Sequence, residues 1–211
     1  MTELELQRLT YPRVSEIIGT HIADELRSVP LDTLANACLR GTKLHAYCTA
    51  YLRGLWVPVI EEEYLHYFEA FKAWAEENVF QTLYTGVRLY DDERRFTGEF
   101  DIIAVLKDSK QIALIDLKTS CKESKSWPIQ LAAYKHLCIH NGYEIETVFN
   151  LHLKKTKGAV FEEVNGKKVK ASPEKIKAKR IDHEEKDLVA YWEVFDSALS
   201  CYDYFKRKEA I

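Results

Sequence analysis

Residues 98–120 read GEFDIIAVLKDSKQIALIDLKTS, two apolar runs joined by the polar turn Lys107-Asp108-Ser109-Lys110. Side chains on a strand alternate between faces. In the second run Ile112, Leu114, Asp116 and Lys118 share one face, and Gln111, Ala113, Ile115 and Leu117 share the other. Both faces are largely apolar, which marks a central strand covered on both sides. In the first run Asp101, Ile103 and Val105 share a face. With an even-numbered turn, Lys107 faces Lys110, Leu106 faces Gln111, and Asp101 faces Asp116. Residues opposed in this way have Cβ atoms about 4.5–5.5 Å apart.

Two carboxylates so placed repel, and burying even one unpaired charge is costly. Three arrangements relieve the cost: a shared proton, a salt bridge to Lys118, or a divalent cation. Hard oxygen ligands on two strands suit Mg²⁺ or Mn²⁺. Lys118, on the same side as Asp116, is placed to hold or deprotonate a water and to stabilise a developing oxyanion. The competing reading is a buried Asp–Lys ion pair with no catalytic role.

Outward from this hairpin, apolar and small residues recur at Leu34, Cys38, Gly41, His45, Cys48 and Leu52, one face of a helix over 31–52. A second helix is predicted over 60–78, with Tyr64, Phe68, Phe71 and Ala75 inward, then a strand over 83–90. After a Ser/Lys-rich loop at 119–126, Ser126 as N-cap and Pro128 in the first turn start a helix that Asn141-Gly142 ends. A strand follows over 147–154, and Asn165-Gly166 signals a hairpin turn. A closing helix carries Leu188, Trp192, Phe195, Leu199, Tyr202 and Phe205 on one face. This order predicts an α/β fold, a mixed central β-sheet flanked by helices.

At 211 residues and 46% apolar, the chain is long enough for one globular domain with a sizeable core. No apolar run has the roughly 18 residues of a membrane span, and MTELELQRLT is too acidic for a secretory signal. A cytoplasmic protein with no membrane partner is expected. Cys38, Cys48, Cys121, Cys138 and Cys201 are odd in number and form no CxxC pair, so they read as small buried hydrophobes rather than a zinc or disulfide framework. The net charge is −3, yet residues 154–180 hold ten Lys or Arg against three Glu, a local excess of +7. Such a block serves as a phosphate-binding arm or as a solvated loop.

The pattern of Asp101 followed by Asp116-Leu117-Lys118 resembles the signature of the PD-(D/E)XK nuclease superfamily. Gly98-Glu99-Phe100-Asp101 is similar to its GxxD motif. Gln130-Leu131-Ala132-Ala133-Tyr134 is similar to the QxxxY motif of RecB-like exonucleases. Gly41-Thr42-Lys43-Leu44-His45 is similar to the upstream GxxxH motif of the same branch. Residues 12–18, PRVSEII, resemble the N-terminal segment of phage and mitochondrial relatives. The resemblance spans about residues 11–155. It implies a restriction-endonuclease-like core, a bound divalent metal such as Mg²⁺ or Mn²⁺, and hydrolysis of a nucleic-acid phosphodiester.

Carried over by residue, Asp101, Asp116 and Lys118 would be catalytic. His45, Asp101, Asp116 and the Leu117 carbonyl would bind metal, and Gln130 and Tyr134 would contact the substrate backbone. Gln130 and Tyr134, four apart, share a helix face. Lys122, Lys125 and the basic block are candidate phosphate contacts, and Trp127 is a candidate base-stacking surface, whereas Tyr47 and Tyr51 read as core. The segment Thr85-Gly86-Val87-Arg88-Leu89 lacks the extra acid that some relatives carry there. With only Cys201 beyond Cys138, no iron–sulfur cluster is expected. No helicase motif is present, so a helicase or recombination partner would be a separate chain.

The expected organisation is a single domain: N-terminal helices over 14–78, a catalytic core over 83–155, a basic segment over 154–180 and a C-terminal helix over 184–208. The favoured function is a metal-dependent DNA exonuclease of repair, recombination or processing. The rivals are a nuclease-fold module that binds or recruits without catalysis, and a structural domain whose terminal helix binds a partner.

Overall fold

The computed structural model describes residues 2–22 and 29–209. Residues 23–28, inside the expected N-terminal helical region, lie outside the described residues. The chain opens with α1 (Glu3–Arg8), whose Thr2 cap and Glu5 form a reciprocal capping box, and α2 (Val14–His21). Two longer helices follow, α3 (Leu31–Leu52) and α4 (Glu62–Asn78). The hairpin consists of β2 (Phe96–Leu106) and β3 (Ile112–Lys118), preceded by β1 (Val79–Asp91). Next come α5 (Ser126–His140), β4 (Thr147–Lys157), β5 (Val160–Val164), β6 (Lys167–Ser172), β7 (Lys175–Asp182) and α6 (Glu185–Glu209).

Five strands form one mixed sheet in the order β1-β2-β3-β4-β7. Only β3 and β4 are parallel, and α5 is their crossover. The β2–β3 register pairs Ile102 with Ile115, Ile103 with Leu114, Ala104 with Ala113 and Val105 with Ile112. The Leu106 N–H donates to Gln111 O, which closes the four-residue turn expected from the sequence. Continuing that register puts Asp101 opposite Asp116.

β3 is central and apolar on both sides, so two cores form. Leu114 joins Val14, Ile17, Phe96, Leu131, Leu137 and Phe195 beneath α2, α5 and α6. Ala113, Ile115 and Leu117 join Leu44, Cys48, Phe71, Phe149 and Leu151 beneath α3 and α4. Burying such a side chain contributes about 1.5–3 kcal/mol. Gly98 on β2 lets α2 and α5 approach closely. A Cβ there would lie 2.7 Å from Leu137 Cδ1, 2.9 Å from Tyr134 Cε1 and 3.0 Å from Val14 Cγ2.

Several expectations need correction. β1 starts at Val79, because α4 passes straight into extended backbone at its own C-cap. Residues 175–182 form the sheet's outer strand: Ile176 and Ala178 pack inward while Lys175, Lys177 and Lys179 alternate outward. Lysine on an edge strand also discourages edge-to-edge pairing. The Asn165-Gly166 turn is present, both residues with positive φ (53° and 73°), as a tight hairpin requires. Only Cys48 and Cys138 are buried; Cys38, Cys121 and Cys201 are exposed, because the early turns of α3, the loop after β3 and the outer face of α6 lie beyond the sheet. Phe205 is also exposed, next to His21 past the end of the core. Ser126 is the first helical residue of α5 rather than its cap, and the Ser124 hydroxyl accepts its N–H. No described helix is long and apolar enough to cross a membrane.

Candidate active site

The open end of β3 meets α3 and α5, and the sequence motifs converge there. Asp116 is buried at 2% exposure on β3. Its Oδ2 takes two partners, the Lys118 ammonium at 2.8 Å and the Asn150 amide at 2.6 Å. Two-residue strand periodicity puts Lys118 on the same side as Asp116. The Lys118 Nζ also donates to Gln130 Oε1 at 2.6 Å, and Gln130 Nε2 donates to the Tyr134 hydroxyl at 2.9 Å. Gln130 and Tyr134, one helical turn apart on α5, thus fix where the ammonium sits.

Asp101 on β2 is half-buried. Its Oδ2 accepts the Leu117 N–H at 2.7 Å, and its Oδ1 lies 2.9 Å from His45 Nδ1 of α3. The two carboxylates differ electrostatically. Burial disfavours charge on Asp101, but His45, Lys118 and the Leu117 N–H outweigh it and hold the carboxyl below the usual range. Burial pushes Asp116 up, the Asp101 charge adds to the rise, and Lys118 only partly offsets them. Burial also lowers the pKa of His45, but its ion pair with Asp101 outweighs that and leaves it raised. Tyr134 is raised by burial and by both carboxylates, so its hydroxyl stays protonated.

The structure therefore brings Asp101, Asp116, Lys118, His45, Leu117, Gln130 and Tyr134 to one place. Tyr134 is buried, and its hydroxyl accepts from Gln130, the residue that also accepts from Lys118. Lys122 and Lys125 are exposed in the loop between β3 and α5. Trp127 corrects an expectation: it is 7% exposed and meets His152 edge-on at 4.9 Å, so packing rather than base stacking occupies its faces. Tyr47 and Tyr51 donate to Glu61 and Glu76.

Sequence reasoning missed Asn150 and His183. Asn150 lies on β4 beside Asp116, and its Oδ1 is 2.8 Å from His183 Nε2. The signal for Asn150 was a lone amide in the apolar run VFNLHL, which the fold buries completely. His183, in a polar loop before α6, had none.

A second feature extends the site along the sheet. Paired residues on neighbouring strands share a face. Lys118 pairs with His152, His152 with Lys179, and Lys154 with Lys177. One sheet face thus carries Asp116, Lys118, Lys154, Lys177 and Lys179 in succession. Like charges directly opposed, such as Lys154 and Lys177, are destabilising.

The donor set fits a hard divalent cation: two carboxylates, an imidazole and a strand carbonyl at one sheet end. Both partners of Asp116 engage Oδ2, leaving Oδ1 as the side of approach. These side chains are not gathered into a ready-made triad. Among the described residues only Asp91, His136 and His140 bring three such ligand atoms within 4.8 Å of one another.

Comparison with known proteins bears on the fold and the family. A crystal structure of an exonuclease candidate from Eubacterium rectale aligns with a TM-score of 0.51 at 13% identity, covering 92% of this chain and 80% of that one. The crystal structure of SSO0001 aligns at 15% identity over 91% of this chain and 82% of that one, with a TM-score of 0.37. With a TM-score above 0.5 the first likeness bears on the fold, and at 13% identity it speaks to the fold alone. No curated protein matches the sequence. The sequence itself matches the PD-(D/E)XK nuclease superfamily over residues 11–198, a span that takes in the hairpin, the flanking helices and most of α6. With that match over most of its length, the chain belongs to the PD-(D/E)XK nuclease superfamily.

Proposed function

We propose that the protein is a divalent-metal-dependent nuclease that hydrolyses DNA phosphodiester bonds. The carrying observation is the Lys118 ammonium held between Asp116 and Gln130, 2.8 and 2.6 Å away, at the end of a strand whose neighbour supplies Asp101. A buried ion pair with no further role is weak evidence for stability, whereas a lysine fixed beside two carboxylates suits hydrolysis.

Asp101, Asp116, His45 and the Leu117 carbonyl would hold Mg²⁺ or Mn²⁺. When bound, the cation polarises the phosphate and lowers the pKa of water. The chain's own residues do the rest. Lys118, kept in place by Gln130 and Tyr134, orients the attacking water and places a positive charge where the phosphorane oxygens gain negative charge. Lys154, Lys177, Lys122 and Lys125 bind backbone phosphates, a sequence-independent mode of holding a strand. We infer an exonuclease of the RecB-like branch, of the phage and mitochondrial single-domain kind, acting in DNA repair, recombination or processing. The four motifs in order and the absence of a dedicated base-reading element among the described residues support that reading.

The test uses end-labelled single- and double-stranded DNA with Mg²⁺, Mn²⁺ or EDTA, wild type beside Asp116→Ala and Lys118→Ala. Metal-dependent shortening by wild type alone is expected, and the product ladder gives the polarity. Binding without cutting under every metal would refute catalysis and favour the recruitment module.

A further inference from the structure

At the end of β1, away from the nuclease centre, a buried carboxylate meets two histidines. Asp91 is 0% exposed. Its Oδ1 accepts the N–H groups of Glu93 at 3.0 Å and Arg94 at 2.8 Å in the turn to β2. Its Oδ2 lies 2.8 Å from His136 Nε2, and His140 Nε2 lies 4.0 Å from Oδ1. Asp91 pairs with Phe96, whereas Asp101 falls opposite the Thr85–Val87 stretch. At about 3.3 Å per strand residue the two places are on the order of 16 Å apart.

We propose that Asp91, His136 and His140 form a second metal site, for a divalent transition ion of the zinc class, that ties the end of β1 to α5. His136 and His140 are four residues apart on α5, the spacing that aims two imidazoles at one ion. Their rings are held before any ion arrives. Trp192 stacks on His136 at 3.8 Å and 11°, and His140 follows at 5.9 Å and 16°. The 4.0 Å separation between His140 and Asp91 is too long for a hydrogen bond. Two ligands of one tetrahedral ion, each about 2.0–2.2 Å from it, stand roughly 3.4 Å apart, so this pair would close by about half an ångström.

The His136–Asp91 pair would lengthen by about half an ångström to admit the ion. The two backbone N–H groups on Asp91 act as the outer shell that orients such a ligand. Two imidazoles with one carboxylate favour zinc, cobalt or nickel over magnesium. Arg94 is the competing cation, its Nη1 3.8 Å from Asp91 Oδ2. Its Nε is bonded to Asp196 at 3.2 Å and its guanidinium lies over the Trp192 ring, which keeps it at the rim. The histidines are 24% and 32% exposed, so an ion has an entry path.

The test titrates Co²⁺ into the untagged, chelator-stripped full chain, followed by visible absorption and by Zn²⁺ competition. Wild type is compared with His140→Ala, His140→Gln and Asp116→Asn. One Co²⁺ equivalent with ligand-field bands is expected in Asp116→Asn, and the same bands in wild type beside any ion held at the nuclease centre. Both His140 variants should weaken this Co²⁺ binding by more than the roughly 10–100-fold cost of an outer-shell change. Circular dichroism confirms folding, and His140→Gln gives the answer if His140→Ala unfolds. Equal Co²⁺ binding by wild type and both His140 variants would overturn the site. So would a thiolate charge-transfer band, which would assign the ion to an exposed cysteine. Failure of wild type to bind would leave only a hydrogen-bonded brace and end the proposal.

Discussion

Replacing Lys118 with Met keeps the side chain's bulk and removes its charge. Asp116, 3% exposed at its side chain, then keeps only the Asn150 amide and still faces Asp101. Removing one partner of a buried pair costs about 3–5 kcal/mol, because it strands the other charge. For a chain of this size that corresponds to a fall in Tm of roughly 6–20 °C, at about 2–4 °C per kcal/mol. Asp116→Asn should cost less, because the Lys118 side chain is 14% exposed and retains Gln130. In the double variant neither charge is stranded, so its destabilisation should fall short of the sum of the single ones by on the order of 2 kcal/mol, within the range for contacting residues. Urea unfolding in EDTA, read as the midpoint at constant slope, measures all three. Added Mn²⁺ should restore part of the missing stability to Lys118→Met, because an ion that binds only the folded state stabilises it. Additive effects would refute the reasoning, showing that Asp116 and Lys118 do not compensate each other.

Three further outcomes are expected. Gly98→Ala drives a methyl into Leu137, Tyr134 and Val14; overpacking of this kind costs about 1–3 kcal/mol, and thermal unfolding should show it, whereas an unchanged Tm would mean that the helices retreat freely. Lys154→Ala with Lys177→Ala should flatten the salt dependence of single-strand binding by about 0.7 for each phosphate that is no longer neutralised, measured by fluorescence anisotropy in EDTA; an unchanged slope would remove these lysines from the DNA path. Glu61 accepts from Lys43 and Tyr47, interactions that pull its carboxyl down to about 2. A folded pKa below the unfolded one means that this tie between α3 and the start of α4 acts above the ordinary glutamate range and disappears as pH falls towards 2. Carboxyl NMR should show the low titration in wild type and a rise in Lys43→Met.

The hairpin was legible because its physics is local. Two apolar runs, a four-residue turn and a period of two fix which residues oppose, so the register from Val105–Ile112 to Ile102–Ile115, which leads towards Asp101 and Asp116, followed without tertiary information. The helices were legible from their inward stripes, as with Tyr64, Phe68, Phe71 and Ala75 of α4. What escaped was set by packing between distant segments. Nothing local indicated that Trp127 would be covered by His152, or that the Lys-rich 175–182 stretch would join the sheet beside β4. In that stretch the alternation Lys-Ile-Lys-Ala-Lys is a strand pattern, but the charge block masked it. The links from Asp116 through Asn150 to His183, and from Asp91 to His136, join residues about 30 to 45 positions apart. Only the fold makes them neighbours.

The site's electrostatics explain why these carboxylates are tolerated in a sheet core. Neither aspartate stands alone: Asp101 is held by His45 and a backbone N–H, and Asp116 by Lys118 and Asn150. The opposite displacement of their pKa values follows from that division of partners. Asp101, with its partners on both oxygens, keeps its charge, whereas Asp116 is deeper and feels Asp101 as a like charge. An incoming cation would reverse the second effect, because it compensates both carboxylates at once and leaves Lys118 to act on a phosphate or a water. On the proposed function, the ion pair seen here and the metal-bound arrangement would be two uses of one cluster, and the Mn²⁺ dependence of Lys118→Met stability tells whether the chain moves between them.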